Sequence, residues 1–315
     1  MTATAQVVAL SGGVGGAKLA HGLLQALPAD ALSLILNTGD DFLHLGLHIS
    51  PDVDTALYTL AGLANRQTGW GRQDETWSFM EALAQIGGET WFRLGDGDLA
   101  THVERSRRLL AGERLSTVAA AFAARLGIRA RLLPMSDDPV RTRALTDEGA
   151  FDFQHYFVLL QCRPRIHAID FAGAASARPT PEIIAALHAP GLEAVVICPS
   201  NPYLSIDPIL ALPGVKRMLA DTPAPVIAVA PIVGGQAIKG PTAKIMRELG
   251  VEPSAAAVAA HYADFLDGYV VDAADTVTLP GPRMISAGIV MKTLADKVAL
   301  ARRCVAFSDE LAGRS

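Results

Sequence analysis

Val7-Val8-Ala9-Leu10-Ser11-Gly12-Gly13-Val14-Gly15-Gly16-Ala17-Lys18-Leu19-Ala20 is the stretch from which the rest of this chain is read. Its four leading apolar residues, β-branched at the front, read as a buried strand. A serine and four glycines follow, and apolar residues then recur at helical spacing from Ala17 to Leu27. A strand, a glycine turn and a helix together make an anion site. The first N–H groups of a helix lack internal acceptors, and the macrodipole puts partial positive charge there. Two motifs fail against the stretch. The dinucleotide fingerprint Gly-x-Gly-x-x-Gly fits Gly13 and Gly15 but meets Lys18 at its third position. A P-loop fits Gly12 and Lys18, but Ala17 and Leu19 stand at its last glycine and its hydroxyl. What remains is a phosphate cradle of Gly12, Gly13, Gly15 and Gly16 with Lys18 beside it. The alternative is a tight strand-to-helix turn that binds nothing.

The chain has 315 residues, of which 50% are hydrophobic and 19% charged, so it carries a substantial core and wholesale disorder is excluded. A net charge of −5 argues against a nucleic-acid partner, which calls for a basic face. Cys162, Cys198 and Cys304 lie outside any CxxC pattern, which points to a reducing cytosol and no zinc site. No apolar stretch approaches the ~18 residues of a membrane span, and the N-terminus lacks a positive n-region. The expectation is a cytoplasmic protein with neither membrane nor nucleic-acid partner.

A second buried strand is expected at Leu32–Leu36, joined to the first by a right-handed parallel crossover. It ends in Asn37-Thr38-Gly39-Asp40-Asp41, which places two carboxylates where open α/β sheets hold their ligands. A second acidic turn, Ser50-Pro51-Asp52-Val53-Asp54-Thr55, precedes a helix-like run from Ala56. Between Ala56 and Leu126 apolar residues keep helical spacing, and Trp70, Trp77 and Trp91 all fall there, read first as core. Gly69-Trp70-Gly71 and Leu94-Gly95-Asp96-Gly97-Asp98 read as loops interrupting those helices. Strand-like runs resume at Arg129–Pro134, Phe151–Leu160, Ala194–Cys198 and Val226–Ala230, with a closing amphipathic helix from Met291 to Val305. Repeated strands ending in Pro, Gly or Asn turns before helices predict a doubly wound, mostly parallel, Rossmann-like α/β sheet. Residues 1–55 and 127–315 form its nucleotide-binding core, and residues 56–126 an inserted helical subdomain.

Asp40, Asp41 and Asp54 lie near the cradle, where carboxylates would repel a phosphate unless a hard cation such as Mg²⁺ stood between them. Asp54 could instead be an N-cap; Asp52 and Asp98 are read as caps or solvated turns. Ser200 and Asn201, in Pro199-Ser200-Asn201-Pro202, sit at another strand end, and the Asn201 amide suits a base edge. For these two, simple turn formation is an equal alternative. His102 follows the Asp96–Asp98 loop. His44 and His48 are spaced i, i+4, but their glycine and apolar neighbours argue against a metal pair. No Gly-x-Ser-x-Gly elbow or catalytic triad is present.

Taken in order, Ser11–Lys18, Ser50–Thr55, Gly69-Trp70-Gly71 with Asp74–Trp77, Leu94-Gly95-Asp96 with Leu99–His102, Leu133–Asp138, Pro199–Pro202 and Pro231–Gly234 with Lys239-Gly240 resemble one family over nearly the whole length. It is the 2-phospho-L-lactate transferase family of deazaflavin coenzyme F(420) biosynthesis. The resemblance implies a Mg²⁺-dependent transfer of a phospho-acid from a guanosine-diphosphate-activated donor to the ribityl hydroxyl of the deazaflavin Fo, with release of GMP. The acid could be 2-phospholactate, phosphoenolpyruvate or 3-phosphoglycerate. It further implies that Asp54 is catalytic, that Asp54 and Arg93 contact the deazaflavin, and that the helical insert contributes to that site. Arg93 stands where the family often has Lys, which keeps the charge but changes its geometry. The cradle, Ser200 and Asn201 would then hold the nucleotide, and the expected assembly is a homodimer. Two rivals stand beside it: an NAD(P)-dependent oxidoreductase, suggested by the glycines, and a non-enzymatic nucleotide-sensing regulator.

Overall fold

The strand Gln6–Ser11 (β1) is buried at every position after the first, the continuous apolar pattern of a strand covered on both faces. In the computed structural model, which describes residues 6–65, 67–238, 240–275 and 281–314, β1 stands near the middle of the sheet. Helix α1 (Gly13–Ala26) leads to β2 (Leu32–Leu36), then to a hairpin of β3 (Phe42–His44) and β4 (Leu47–Ile49). Four helices follow, α2 (Pro51–Leu60), α3 (Ser78–Gln85), α4 (Asp96–Leu110) and α5 (Leu115–Arg125), before β5 (Arg131–Pro134). Next come β6 (Arg141–Thr146), β7 (Gly149–Asp152) and β8 (Ile166–Ala172), which pair as a separate antiparallel sheet. The chain re-enters the main sheet through α6 (Pro181–Leu187) and β9 (Leu192–Ile197). It continues through α7 (Asp207–Leu210), α8 (Val215–Asp221), β10 (Val226–Val229) and the small hairpin of β11 (Ile232–Val233) and β12 (Gln236–Ala237). Then come α9 (Thr242–Glu248), α10 (Ala255–His261), β13 (Gly268–Asp272), β14 (Arg283–Ala287) and α11 (Leu294–Leu311).

The main sheet has seven strands in the order β14-β13-β10-β9-β1-β2-β5, every neighbouring pair parallel. The expected doubly wound α/β architecture is therefore what the chain adopts. From β1 the chain winds outward through β2 to β5, then crosses back to β9 on the other side of β1 and winds to β14. The direction reverses between β1 and β9, and open α/β sheets leave a ligand crevice at the carboxyl ends of the strands at such a switch point.

Some elements differ from expectation. The helix after the second acidic turn begins at Pro51, not Ala56, because proline at the first helical position loses no hydrogen bond and brings φ already set. Of the apolar run Phe151–Leu160, only its first two residues belong to a strand; His155–Leu159 coils into a wide helical turn that buries Tyr156 and leaves Phe157 and Leu159 exposed. Leu43 pairs with His48 and His44 with Leu47 across the β3–β4 hairpin, so the i, i+4 spacing of the two histidines is not helical. Asp96, Gly97 and Asp98 form the first turn of α4 rather than a loop. Strands β3, β4, β6, β8, β11, β12, β13 and β14 are not among the expected elements; β6 alternates buried with more exposed residues and pairs on both edges.

Helix α1 packs against α11, and Gly22 is the point of closest approach: a Cβ there would collide with the Lys297 carbonyl oxygen. Alanine in a helix interior ordinarily gains about 1 kcal/mol over glycine. Gly22→Ala is expected to reverse that sign and lose about 1–3 kcal/mol through overpacking. Urea unfolding measures the difference, and a stabilised variant would contradict this α1–α11 contact.

Candidate active site

The glycine loop forms where β1 ends and α1 begins. Gly13 has φ +65°, a conformation that strains residues with a Cβ. A Cβ on Gly15 would strike the Pro199 carbonyl oxygen, and one on Gly16 the hydroxyls of Ser11 and Ser200. The loop is thus pressed onto the turn after β9. The Gly12 N–H donates to Ser200 Oγ at 3.2 Å and the Gly13 N–H to Asp52 Oδ1 at 2.7 Å. The Asp52 Oδ2 atom accepts from Asn37 Nδ2 at 2.9 Å, and the same amide nitrogen reaches the Leu204 carbonyl at 3.3 Å. The ends of β1, β2 and β9 and the start of α2 therefore meet at one point. Ser200 and the glycines are brought together there. Lys18 is placed differently: its Nζ donates to the Met291 carbonyl at 3.1 Å, tying α1 to the segment before α11.

Asp52, read from sequence as a cap or solvated turn, is only 7% exposed and lies at the centre of this junction. The Ser50-Pro51 pair, a helix-start signal, was the sequence cue that places it on the first turn of α2. Burial, with the charge of Asp41 adding, pushes its carboxyl up to about 6 against the opposing bonds from Asn37 and Gly13. Asp40 is raised well above the usual carboxylate range, first by burial and next by the charge of Asp52. Asp41 Oδ2 accepts from Ser50 Oγ at 2.7 Å and lies 3.0 Å from His48 Nε2. The other oxygens, Asp40 Oδ1 and Asp41 Oδ1, are buried without a hydrogen-bond partner. Orphaned carboxylate oxygens of this kind suit a hard cation. Among the described residues no group of three or more His, Cys, Asp or Glu is arranged to hold a metal by itself, so a cation here needs ligand or water oxygens as well.

Asp54 stands in the first turn of α2 but is no N-cap. It forms a bidentate pair with Arg105 of α4, whose Nη2 meets Oδ1 and whose Nη1 lies 3.0 Å from Oδ2. His102 Nδ1 is 3.6 Å from the same carboxylate. Burial raises the Asp54 carboxyl above its ordinary range, opposed by the Arg105 and His102 charges. Asp98, read as a solvated turn, is held in this network: it accepts from the Tyr58 hydroxyl at 2.6 Å and lies 3.2 Å from His102 Nε2.

The helices between β4 and β5 are fastened by reciprocal capping. Glu75 accepts from the Gly97 and Asp98 N–H groups at the start of α4, at 2.7 and 2.8 Å. Asp96 in turn accepts from the Ser78 and Phe79 N–H groups at the start of α3, at 3.1 and 3.0 Å. Arg93 is exposed and lies 4.1 Å above the Trp77 ring, an aromatic support for its cation. Among the described residues no hydrogen bond or ion pair joins it to Asp54. Trp91 packs with Phe42, His44, Phe92 and His155, but Trp70 is 55% exposed and is not core. Asn201 turns its Oδ1 inward to accept from the Tyr203 and Leu204 N–H groups, while its Nδ2 is buried without a partner. Lys239, in the last of the sequence motifs, lies outside the described residues.

A parallel α/β sheet with a glycine turn, buried carboxylates and an unpaired amide at its switch point defines a doubly wound α/β protein with a polar crevice at the strand ends. Comparison with known proteins narrows this class. The family described as 2-phospho-L-lactate transferase CofD matches residues 7–280. A "Phosphoenolpyruvate transferase" of Kitasatospora aureofaciens is 41% identical over 97% of this chain and 98% of its own length. A "2-phospho-L-lactate transferase" of Methanosarcina mazei is 38% identical over 85% of this chain and 88% of its own. The crystal structure of a UPF0052-family protein from Bacillus halodurans shares the fold, with a TM-score of 0.56 and 17% identity over 88% of this chain and 83% of that one. The chain belongs to the CofD 2-phospho-L-lactate transferase family, a family of transferases of coenzyme F(420) biosynthesis. Among the described residues no helix is long and apolar enough to cross a membrane.

The raised carboxyl of Asp52 has a consequence for stability. The unfolded side chain ionises near 3.8 and the folded one near 6, so the folded state holds the proton more tightly. Its contribution is therefore fully present below the unfolded value and is lost as pH rises through the folded one. In chelator-containing buffer, urea unfolding of the wild type is expected to lose up to about 3 kcal/mol more than Asp52→Asn between pH 4 and 7. Parallel pH profiles for the two proteins would refute this.

Proposed function

We propose that this chain transfers a phospho-acid from its guanosine-diphosphate-activated form to the ribityl hydroxyl of Fo and releases GMP. The observation that carries the proposal is the match along almost the full chain to transferases named for phosphoenolpyruvate and 2-phospho-L-lactate. The site's geometry supports it. The N–H groups at the start of a helix, which have no intrahelical acceptor, suit a diphosphate, and the buried Asn201 Nδ2 offers a donor to a purine base. The failure of the dinucleotide fingerprint at Lys18, together with the bond of that lysine to Met291, counts against the oxidoreductase rival.

In the proposed step the ribityl oxygen attacks the phosphorus of the phospho-acid. The anhydride bond to GMP breaks, the electron pair leaves with the GMP phosphate oxygen, and the hydroxyl proton is released to solvent. Such transfers need mainly positioning and charge neutralisation, consistent with a site that has no obvious nucleophile. Mg²⁺ would neutralise charge on the diphosphate when bound. Asp40 and Asp41, with their orphaned oxygens, fit as its protein ligands, whereas the charge of Asp54 is already compensated by Arg105. Asp54 serves instead as an acceptor for the ribityl hydroxyl. Arg93, stacked on Trp77, supplies a cation to the deazaflavin rim, and Trp70 an exposed aromatic face. The proposal includes a cytoplasmic homodimer, for which light scattering is the direct measurement.

Purified protein incubated with Fo, Mg²⁺ and each guanylylated acid in turn is expected to release GMP and form the corresponding phospho-acid adduct of Fo, detected by mass. Guanylylated phosphoenolpyruvate is expected to be the best donor, in keeping with the name of the relative aligned over 97% of the chain. Absence of Fo-dependent GMP from every donor would reject the proposal. Asp40→Asn and Asp41→Asn are each expected to raise the Mg²⁺ concentration needed for half-maximal rate by about 10-fold or more, in line with the loss of a coordinating carboxylate.

A further inference from the structure

Arg105 is the largest fully buried side chain among the described residues, and it is a charged one. A guanidinium stays protonated in a protein and is rarely buried without fixed partners. Here those partners come from three elements. From α4, Nη1 and Nη2 take the two oxygens of Asp54 on α2, and Nη1 also reaches the His48 carbonyl on β4 at 3.3 Å. Within α4, Nη1 lies 3.3 Å from His102 Nδ1, and the opposite ring nitrogen of His102 is 3.2 Å from Asp98 Oδ1. The start of α4 is itself fixed by Glu75.

We propose that Arg105 is a positioning residue for the transfer reaction, which holds the Asp54 carboxylate in a single orientation before the acceptor arrives. The inference rests on the proposed contact between Asp54 and the deazaflavin. A planar fork that grips both carboxylate oxygens fixes the rotation of the group as well as its charge, which a point charge cannot do. An ionised carboxylate has about four lone-pair sites, so two remain for the ribityl hydroxyl after Arg105 has taken its pair. Because Arg105 belongs to α4 and Asp54 to α2, the helical insert has a part in the chemistry beyond lining a pocket. Arg105 itself makes and breaks no bond.

Three variants and one combination test the proposal, with kcat and KM for each substrate and the melting temperature read for all. Arg105→Lys keeps the charge without the fork and is expected to lower kcat by about 10-fold or more, while KM for the guanylylated donor changes by less than about twofold. Asp54→Asn is expected to lower kcat further, and adding Arg105→Lys to it should cost nothing more, because the lysine then has no carboxylate to misplace. Asp54→Glu, which retains charge but shifts the carboxylate out of the fork, should resemble Asp54→Asn rather than the wild type. This last variant decides the matter even if Arg105→Lys does not fold. An inactive Asp54→Asn alongside a fully active Arg105→Lys, multiplying losses in the double variant, or a fully active Asp54→Glu would each overturn the role of Arg105 alone. A fully active Asp54→Asn would overturn the assignment of Asp54 itself, and the inference with it.

Discussion

The bond from the Gly13 N–H to the Asp52 carboxylate holds the centre of this molecule together. A helix that opens directly from a glycine turn leaves N–H groups pointing at nothing, with the macrodipole behind them. Asp52 supplies the chain's own anion to one of these groups, and its other oxygen takes the Asn37 amide. One carboxylate therefore links α1, the end of β2 and the start of α2, and through Asn37 the segment after β9. The glycines follow from the same closeness, since side chains at Gly15 and Gly16 would meet Pro199, Ser11 and Ser200. Packing by itself explains why Gly15 and Gly16 lack side chains.

The same junction concentrates negative charge. Asp40, Asp41 and Asp52 are all buried, and Asp40 and Asp52 are both raised by burial and by like charge nearby. Such a cluster is unfavourable by itself and becomes favourable when a cation or protons compensate it. Asp54, two residues along the same helix, lives in a different environment: its compensation is the Arg105 guanidinium, already present in the protein. Two aspartates of one helical turn thus face opposite electrostatic surroundings, one at the glycine loop and one at the insert.

The insert is joined to the core at two kinds of contact. Glu75 and Asp96 cap each other's helices, so α3 and α4 keep a fixed relation, and the Arg93–Trp77 stack is carried on that frame. Arg105 then connects α4 to α2 and β4. The capping bonds span 17 to 23 residues and set the relation of α3 to α4. The buried ion pair spans about 50 residues and governs where the insert sits against the sheet.

Much of the architecture was legible in the chain by itself. The apolar runs at Val7–Leu10, Leu32–Leu36, Ala194–Ile197 and Val226–Val229 are buried on both faces, and continuous hydrophobicity of that kind has few other uses in a chain with glycine and proline turns between helices. The ordered motifs, from the glycine loop to Gly234, carried the family. What the sequence left open was the partner of each polar side chain. Lys18 stands beside the glycines in sequence, yet its helix turns it to Met291; Asp52 and Asp54 look alike in Ser50–Thr55, yet one meets Gly13 and the other Arg105. Strands β6, β8 and β14 mix polar and apolar residues and are recognised by their pairing. Periodicity and turn chemistry are local and can be read along the chain, whereas the pairing of a buried charge depends on which distant element closes over it, and only the tertiary structure decides that.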